Sequence, residues 1–199
     1  MKKKEGFLLI ISGPSGVGKG TICKKIFKNE ELNLEYSVSK TTREKREGEV
    51  EGKDYFFVSK DEFKKDIEND NLLEYTRFVG NYYGTPRDYC QEQIKKGKNV
   101  LLEIEVHGAN QVMRRDPNSL SIFLVPPSLK ELEQRIRDRR SESEDIIEAR
   151  LAKAKEEIPQ QVNYDYVVVN NTVEQAALEI ERIITSEMSD RNSSGGGIV

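Results

Sequence analysis

Short apolar runs separated by longer amphipathic stretches organise this chain. Phe7–Ser12 is almost wholly apolar, as expected of a parallel strand covered on both faces. Val100–Val106 (VLLEIEV), Ser121–Val125 (SIFLV) and Tyr166–Val169 (YVVV) repeat that signature and predict three further core strands. A helix is expected over Lys19–Lys28, and another includes Gln91–Lys96 with Gly97 as its stop. Ser128 with Glu131, and Thr172 with Gln175, read as capping boxes that open two more. Alternation of this kind predicts an α/β fold around a parallel sheet.

From about Ser37 to Tyr83 the alternation breaks. Tyr55–Val58 and Leu72–Val79 read as short strands around a helix opened by Ser59 and Glu62, with turns at Gly48, Gly52, Gly80 and Gly84. This stretch is expected to form an inserted, mostly antiparallel subdomain. Arg137–Asp145 (RDRRSESED) is a densely charged segment between two helical patterns, either a mobile flap or a solvated helix–helix turn. Asp190–Val199, with its Ser-Ser-Gly-Gly-Gly, is expected to be a disordered tail.

A chain of 199 residues suits one compact domain with small insertions. Cys23 and Cys90 fit neither a ligand spacing nor a disulfide framework, and the single histidine, His107, excludes a multi-histidine metal site. All three are read as structural or incidental. A net charge of −3 offers no bulk attraction for nucleic acid or an anionic membrane. The run Phe7–Ile11 is too short for a membrane span or a signal-peptide core, so a cytoplasmic protein is expected.

The sharpest chemical signal follows the first apolar run: Gly13-Pro14-Ser15-Gly16-Val17-Gly18-Lys19-Gly20-Thr21. Glycines let backbone N–H groups turn inward around phosphate oxygens, the following helix adds partial positive charge, and Lys19 can reach the β- and γ-phosphates. The spacing is that of a P-loop. Gly20 stands where a Ser or Thr would hold Mg²⁺, with Thr21 one position later. That arrangement resembles nucleoside monophosphate kinases, in which the metal is held more through water.

Within the inserted subdomain, Arg43 and Arg46 can fork around a phosphate dianion and Tyr55 can add a hydroxyl donor. By charge alone the same stretch also reads as a solvated loop, because Glu44, Glu47, Glu49 and Glu51 balance its cations. On the strand read at Val100–Val106, Glu103 and Glu105 alternate with apolar neighbours and share a face. Such a pair is costly at a buried strand end unless it meets a cation or donors.

The run from Thr41 to Phe57, Thr-Thr-Arg-x-x-Arg-x-Gly-Glu-x-x-Gly-x-Asp-Tyr-x-Phe, resembles that of guanylate kinases without a gap. Asn81–Gly84, Leu102–Glu105, Pro126–Ser128, Glu133–Arg135, Glu148–Arg150 and Val167–Asn170 follow in the family's order, so the likeness spans about Phe7 to Ile184. It implies a three-layer P-loop core over 1–36 and 86–189 with a short helical lid at about 130–150. A nucleotide-monophosphate-binding subdomain is implied over 37–85. The implied reaction is transfer of the γ-phosphoryl group of Mg·ATP to GMP, by a monomer or homodimer.

By the same resemblance, residues 13–21 and Asn170 hold ATP, and Lys19, Arg43, Arg135, Arg139 and Arg150 serve the transferred group. Ser39, Arg43, Arg46, Tyr55 and Tyr83 contact the GMP phosphate side, Glu74 takes guanine's two N–H donors, and Thr85 serves O6. Glu103 is implied to lie near Mg²⁺, through water, and Glu105 near the acceptor nucleotide. Thr85 is also expected to cap the helix that follows Pro86. Arg140 stands where the family usually has a glycine. The other readings are a non-catalytic guanylate-kinase-like binding module, which the intact P-loop opposes, and a kinase for another nucleotide, which Glu74 with Thr85 opposes. A GTPase is opposed by the absence of an Asn-Lys-x-Asp motif.

Overall fold

The computed structural model describes residues 5–138 and 143–194. Its strands are β1 (Leu8–Ser12), β2 (Leu34–Tyr36), β3 (Lys40–Thr41), β4 (Phe56–Phe57), β5 (Leu72–Phe78), β6 (Asn81–Pro86), β7 (Asn99–Glu103), β8 (Leu120–Val125) and β9 (Tyr166–Val169). Its helices are α1 (Lys19–Ile26), α2 (Lys60–Glu68), α3 (Arg87–Lys95), α4 (Val106–Arg115), α5 (Leu129–Arg137), α6 (Glu144–Glu157) and α7 (Val173–Ser194).

The expected α/β class is borne out. A five-stranded sheet runs in the order β2-β7-β1-β8-β9, with β1–β8 and β8–β9 paired in parallel. Every residue of β1 is buried, which is why that segment reads as a continuous apolar run and not an alternating one. A four-stranded sheet runs β4-β3-β6-β5. Its β3–β6 and β5–β6 pairs are antiparallel and its β3–β4 pair is parallel, so the mostly antiparallel expectation holds.

By backbone packing the chain forms two compact units. One comprises the segment ending at Leu8 together with Glu35–Leu102 and His107–Ser119. The other comprises Leu9–Leu34, Glu103–Val106 and the chain from Leu120 onward. In the first, Phe63 of α2 is fully buried and stacks on Tyr82 at 5.3 Å between ring centroids. In the second, Leu132 and Ile136 of α5 meet Ile147 and Ala154 of α6. Each large apolar side chain buried this way contributes about 1.5–3 kcal/mol.

Local signals are met closely. Ser59 and Glu62 form a full capping box at α2, Ser128 accepts the Glu131 N–H at α5, and Thr172 accepts the Gln175 N–H at α7. Several expectations need correction. The strand read to Val106 stops at Glu103, because α4 begins at Val106. Gly84 lies inside β6, where an added Cβ would stand 2.9 Å from the Glu74 carbonyl oxygen; the reason for glycine is close strand approach and not a turn. Helix α7 continues through Ser194, past the expected onset of disorder at Asp190. Its last turns carry an Arg191–Glu187 ion pair and a Ser193 hydroxyl bonded to the Ser189 carbonyl.

Candidate functional site

The chemistry-bearing residues gather in two places, one in each compact unit. The first is the turn from β1 into α1. Gly13, Gly16 and Gly18 take φ of 145°, 88° and 101°, a region that L side chains adopt only under strain. Space demands glycine as well: a Cβ at Gly13 would lie 2.4 Å from the Leu124 carbonyl oxygen, and one at Gly18 would lie 2.7 Å from Asn170 Nδ2. Val17, fully buried, pins the middle of the loop.

Lys19 Nζ donates to the carbonyls of Gly13 at 2.6 Å and Pro14 at 3.3 Å, so the lysine folds back over its own loop. Burial pulls its pKa below the ordinary lysine value, against the opposing pull of Glu103, Glu157 and Glu105. These groups line one cavity of about 220 Å³ with Gly13, Ser15, Ile104 and Lys153. Glu103 keeps solvent access, yet the protein crowded around its carboxyl raises its pKa against Lys19 and Lys24. Its Oε1 would stand 3.2 Å from a Cβ at position 20, so glycine there leaves the carboxylate its place. Thr21 is exposed one residue further along α1.

Glu105 does not share a strand face with Glu103, since β7 has already ended. It reaches the same cavity from the following turn and pairs with Lys153 at 2.8 Å. Lys153 also approaches Glu157 at 3.7 Å. Glu157 is buried, and burial raises its pKa, opposed by Lys153 and Lys19. Neither Glu157 nor Lys153 was singled out from the sequence; their spacing of four on α6 is a common surface pattern and carries no other signal.

Asn170 is buried beside the loop. Its Nδ2 donates to the Val17 carbonyl at 2.7 Å, while its buried Oδ1 has no partner among the described residues. Arg135 donates to the Asn170 backbone carbonyl at 3.1 Å and pairs with Glu131 at 3.2 Å. Arg150 is half-buried on α6. Arg139, with Arg140, lies outside the described residues. Arg137, at the end of α5, joins Glu133 and Glu144 and so ties α5 to α6.

The second place is the four-stranded sheet. The β5–β6 register sets Glu74 opposite Thr85, and the Thr85 hydroxyl donates to Glu74 Oε1 at 2.7 Å. Glu74 is only 7% exposed. Burial raises its pKa above the ordinary carboxylate value, while Thr85 and the Arg115 charge oppose the rise. The expected capping role of Thr85 is corrected: it lies in β6, Pro86 is the N-cap of α3, and no side chain caps that helix. Tyr83 stands two residues before Thr85 on the same strand and therefore on the same face.

Arg43 forks onto Glu49 at 2.7 and 3.1 Å and donates to the Glu44 carbonyl at 2.7 Å. Its guanidinium lies 5.4 Å from the Tyr55 ring centroid, and the Tyr55 and Tyr83 rings meet edge-on at 6.1 Å. Arg43 and the Arg46 backbone N–H hold the Glu49 carboxyl below the ordinary carboxylate range. Arg46 is exposed, and Ser39 is half-buried with its carbonyl accepting the Phe56 N–H at 2.9 Å. Arg43, Tyr55 and Tyr83 are thus brought together. Three residues of α4 join this place without having been singled out: Gly108 approaches Glu74, Gln111 bonds Tyr75, and Arg115 bonds Leu73.

Among the described residues no group of three or more acidic, cysteine or histidine side chains is disposed to hold a metal by itself, and no helix is long and apolar enough to cross a membrane.

The guanylate kinase family model matches residues 5–187. A guanylate kinase of Mesoplasma florum is 58% identical over 185 residues, covering 93% of this chain and 62% of that protein. One from Bacillus cereus is 53% identical over 187 residues, covering 94% of this chain and 91% of that protein. The crystal structure of a guanylate kinase from Anaplasma phagocytophilum superposes with a TM-score of 0.69 at 36% identity, covering 94% of this chain and 89% of that one. The chain thus spans under two thirds of the Mesoplasma protein and nearly all of the Bacillus one. The family model covers the stretch that holds both the glycine-rich loop around Lys19 and the buried Glu74–Thr85 pair, and the chain belongs to the guanylate kinase family.

Proposed function

We propose that this protein transfers the γ-phosphoryl group of ATP to GMP, giving ADP and GDP. The observation that carries the reading is the buried Glu74 carboxylate with the Thr85 hydroxyl bonded to it. Guanine presents two adjacent N–H donors and the O6 acceptor. A carboxylate takes both donors, and the Thr85 hydroxyl, turning its one O–H away from Glu74, donates to O6. Adenine offers neither donor in that arrangement, so Glu74 would be left desolvated and unpaired, a penalty that supports discrimination of about 10⁴ or more.

In this reading residues 37–85 form the GMP-binding subdomain, and 1–36 with 86–189 form the P-loop core. Arg43 exchanges Glu49 for the GMP phosphate, with Arg46, Ser39, Tyr55 and Tyr83 completing the phosphate side and Glu105 near the acceptor nucleotide. Lys19 exchanges the carbonyls of Gly13 and Pro14 for the β- and γ-phosphates of ATP. Residues 13–21 wrap those phosphates, and Asn170, whose buried Oδ1 has no partner among the described residues, stands behind the loop. Arg135, Arg139 and Arg150 gather on the transferring group. Charge in a loose phosphoryl-transfer transition state spreads over the equatorial oxygens, so positioned cations carry most of the catalysis. No general base is required, because the GMP phosphate is already an anion. Water exclusion on closure would limit wasteful hydrolysis of ATP.

A hard divalent cation fits this cavity: Glu103 supplies an accessible carboxylate beside the loop, and Mg²⁺ binds through one or two carboxylates together with substrate phosphates. Glu103 would hold it, directly or through water, and the ion when bound offsets phosphate charge. The retained Lys19 and its loop favour catalysis over a purely binding module. We further propose a cytoplasmic enzyme, monomeric or homodimeric, the state to be read by light scattering.

The test is a coupled ADP-release assay offering GMP, dGMP, AMP, IMP and UMP separately. Turnover with GMP at least 100-fold above AMP is expected. No GMP-dependent turnover sinks the enzyme reading, and equal rates with AMP and GMP sink the base-recognition assignment.

A further inference from the structure

We infer that one face of α4, made by Gly108, Gln111 and Arg115, is a positioning element that aims Glu74 and thereby sets the base selectivity of the acceptor site. The inference rests on the reading of Glu74 as the guanine-binding carboxylate. Residues 108, 111 and 115 are spaced by three and four and so share one side of the helix.

β5 is an edge strand of its sheet, so only one of its backbone edges is satisfied by a neighbouring strand. The β5–β6 register also slips between Leu72 and Glu74, leaving the ladder interrupted immediately before the carboxylate. A bulge of this kind re-aims side chains and needs outside support to hold one geometry. α4 supplies it. Gln111 Oε1 accepts the Tyr75 N–H at 3.3 Å and Gln111 Nε2 donates to the Tyr75 carbonyl at 3.1 Å. One side-chain amide therefore does for Tyr75 what a residue of a neighbouring strand would do.

Arg115 Nη1 donates to the Leu73 carbonyl at 3.1 Å, and its Nε bonds Asp70 at 3.3 Å. The residues on both sides of Glu74 are thus fixed from the open edge, while Glu74 itself faces Thr85 on β6. Gly108 sets the third limit. A Cβ there would lie 3.1 Å from Glu74 Oε2, tighter than ordinary van der Waals contact, and 3.5 Å from its Cδ, in ordinary contact. The φ of Gly108 is not positive, so the helix has no conformational need of glycine at this position. The room it leaves is taken by the carboxylate.

The experiment compares wild type, Gly108→Ala and Gln111→Met. Affinities for GMP, IMP and ATP are measured by titration calorimetry, and the Glu74 carboxyl is followed by ¹³C NMR in the nucleotide-free protein. IMP keeps N1–H and O6 but lacks the 2-amino donor, so the GMP-to-IMP affinity ratio reports how well the carboxylate meets both donors. Misplacement costs on the order of 100-fold per Å, so pushing Glu74 by about 0.3 Å in Gly108→Ala should weaken GMP roughly fourfold. The GMP-to-IMP ratio should shrink in both variants, ATP affinity should hold, and the Glu74 resonance should move.

Melting separates this from a general structural role, because alanine is the better helix former and Gly108→Ala should melt no lower than wild type. A GMP-to-IMP ratio within twofold of wild type in both variants overturns the inference, as does a parallel loss of ATP affinity. An unmoved Glu74 resonance overturns it whether or not any nucleotide binds. Failure of wild type to bind GMP tells instead against the reading of the acceptor site, a distinct result.

Discussion

Replacing Glu74 by glutamine changes one oxygen to an NH₂ and little else, which isolates the charge. Thr85 can still donate to the remaining oxygen, as it does to Oε1 at 2.7 Å. The ligand side loses much more. Two charge-assisted hydrogen bonds from guanine, each worth about 1.5–3 kcal/mol, are removed or turned into donor–donor conflicts, which lowers kcat/KM for GMP by about 10²- to 10⁴-fold. The KM for ATP should stay within about twofold of wild type.

Stability should move the other way. Burial raises the Glu74 pKa in the folded state, so the folded protein holds that proton more tightly than the unfolded chain. Wild-type stability therefore falls as pH rises from the ordinary carboxylate range through the raised folded value, and Glu74→Gln removes that slope. At pH 7 the variant should melt at or above the wild-type temperature. The assays are coupled ADP release with GMP and thermal melts from pH 4 to 8. The reasoning is refuted if Glu74→Gln keeps GMP kcat/KM within fivefold, or if it melts several degrees lower at pH 7.

Lys19→Met removes the Nζ donor now held by Gly13 and Pro14, and should lower kcat on the order of 1000-fold with little change in melting, read by the same coupled assay and a thermal scan. Glu157→Gln withdraws one of the charges that hold the Lys19 pKa up against burial, so deprotonation of Lys19 should come at lower pH. The alkaline limb of kcat/KM for ATP should shift downward in a pH–rate profile, and an unmoved limb would count against the coupling. Cys23 and Cys90 are both buried with thiol pKa values pushed upward, Cys90 to about 12. A thiol reagent at pH 8 should modify neither in the native protein and both in denaturant, and native stoichiometric labelling would contradict the burial.

Much of the fold was legible because its causes are local. β9 lies over the run read from its apolar pattern, Tyr166–Val169, and Ser59 caps α2 with Glu62 as the spacing requires. The P-loop is legible for the same reason: glycine at 13, 16 and 18 is demanded by φ within the segment itself. The expected strand to Val106 failed because alternation of Glu103, Ile104 and Glu105 cannot reveal that a helix begins at Val106. Thr85 was misread as a cap because a threonine before proline has that local meaning, whereas the hairpin register turns its hydroxyl to Glu74.

By itself, then, the sequence determined the α/β alternation, the phosphate loop, and the residue types able to meet a guanine base and a phosphate. Tertiary structure decided which of these groups face one another. Glu74 meets Thr85 through strand register, Glu105 meets Lys153 across 48 positions of chain, and Gln111 reaches Tyr75 across 36. Backbone dihedrals and caps are set by neighbours along the chain, so a motif can state them. Burial, desolvation and the pairing of distant charges exist only once the chain has folded, and they give Glu74, Lys19 and Glu157 their shifted acidities.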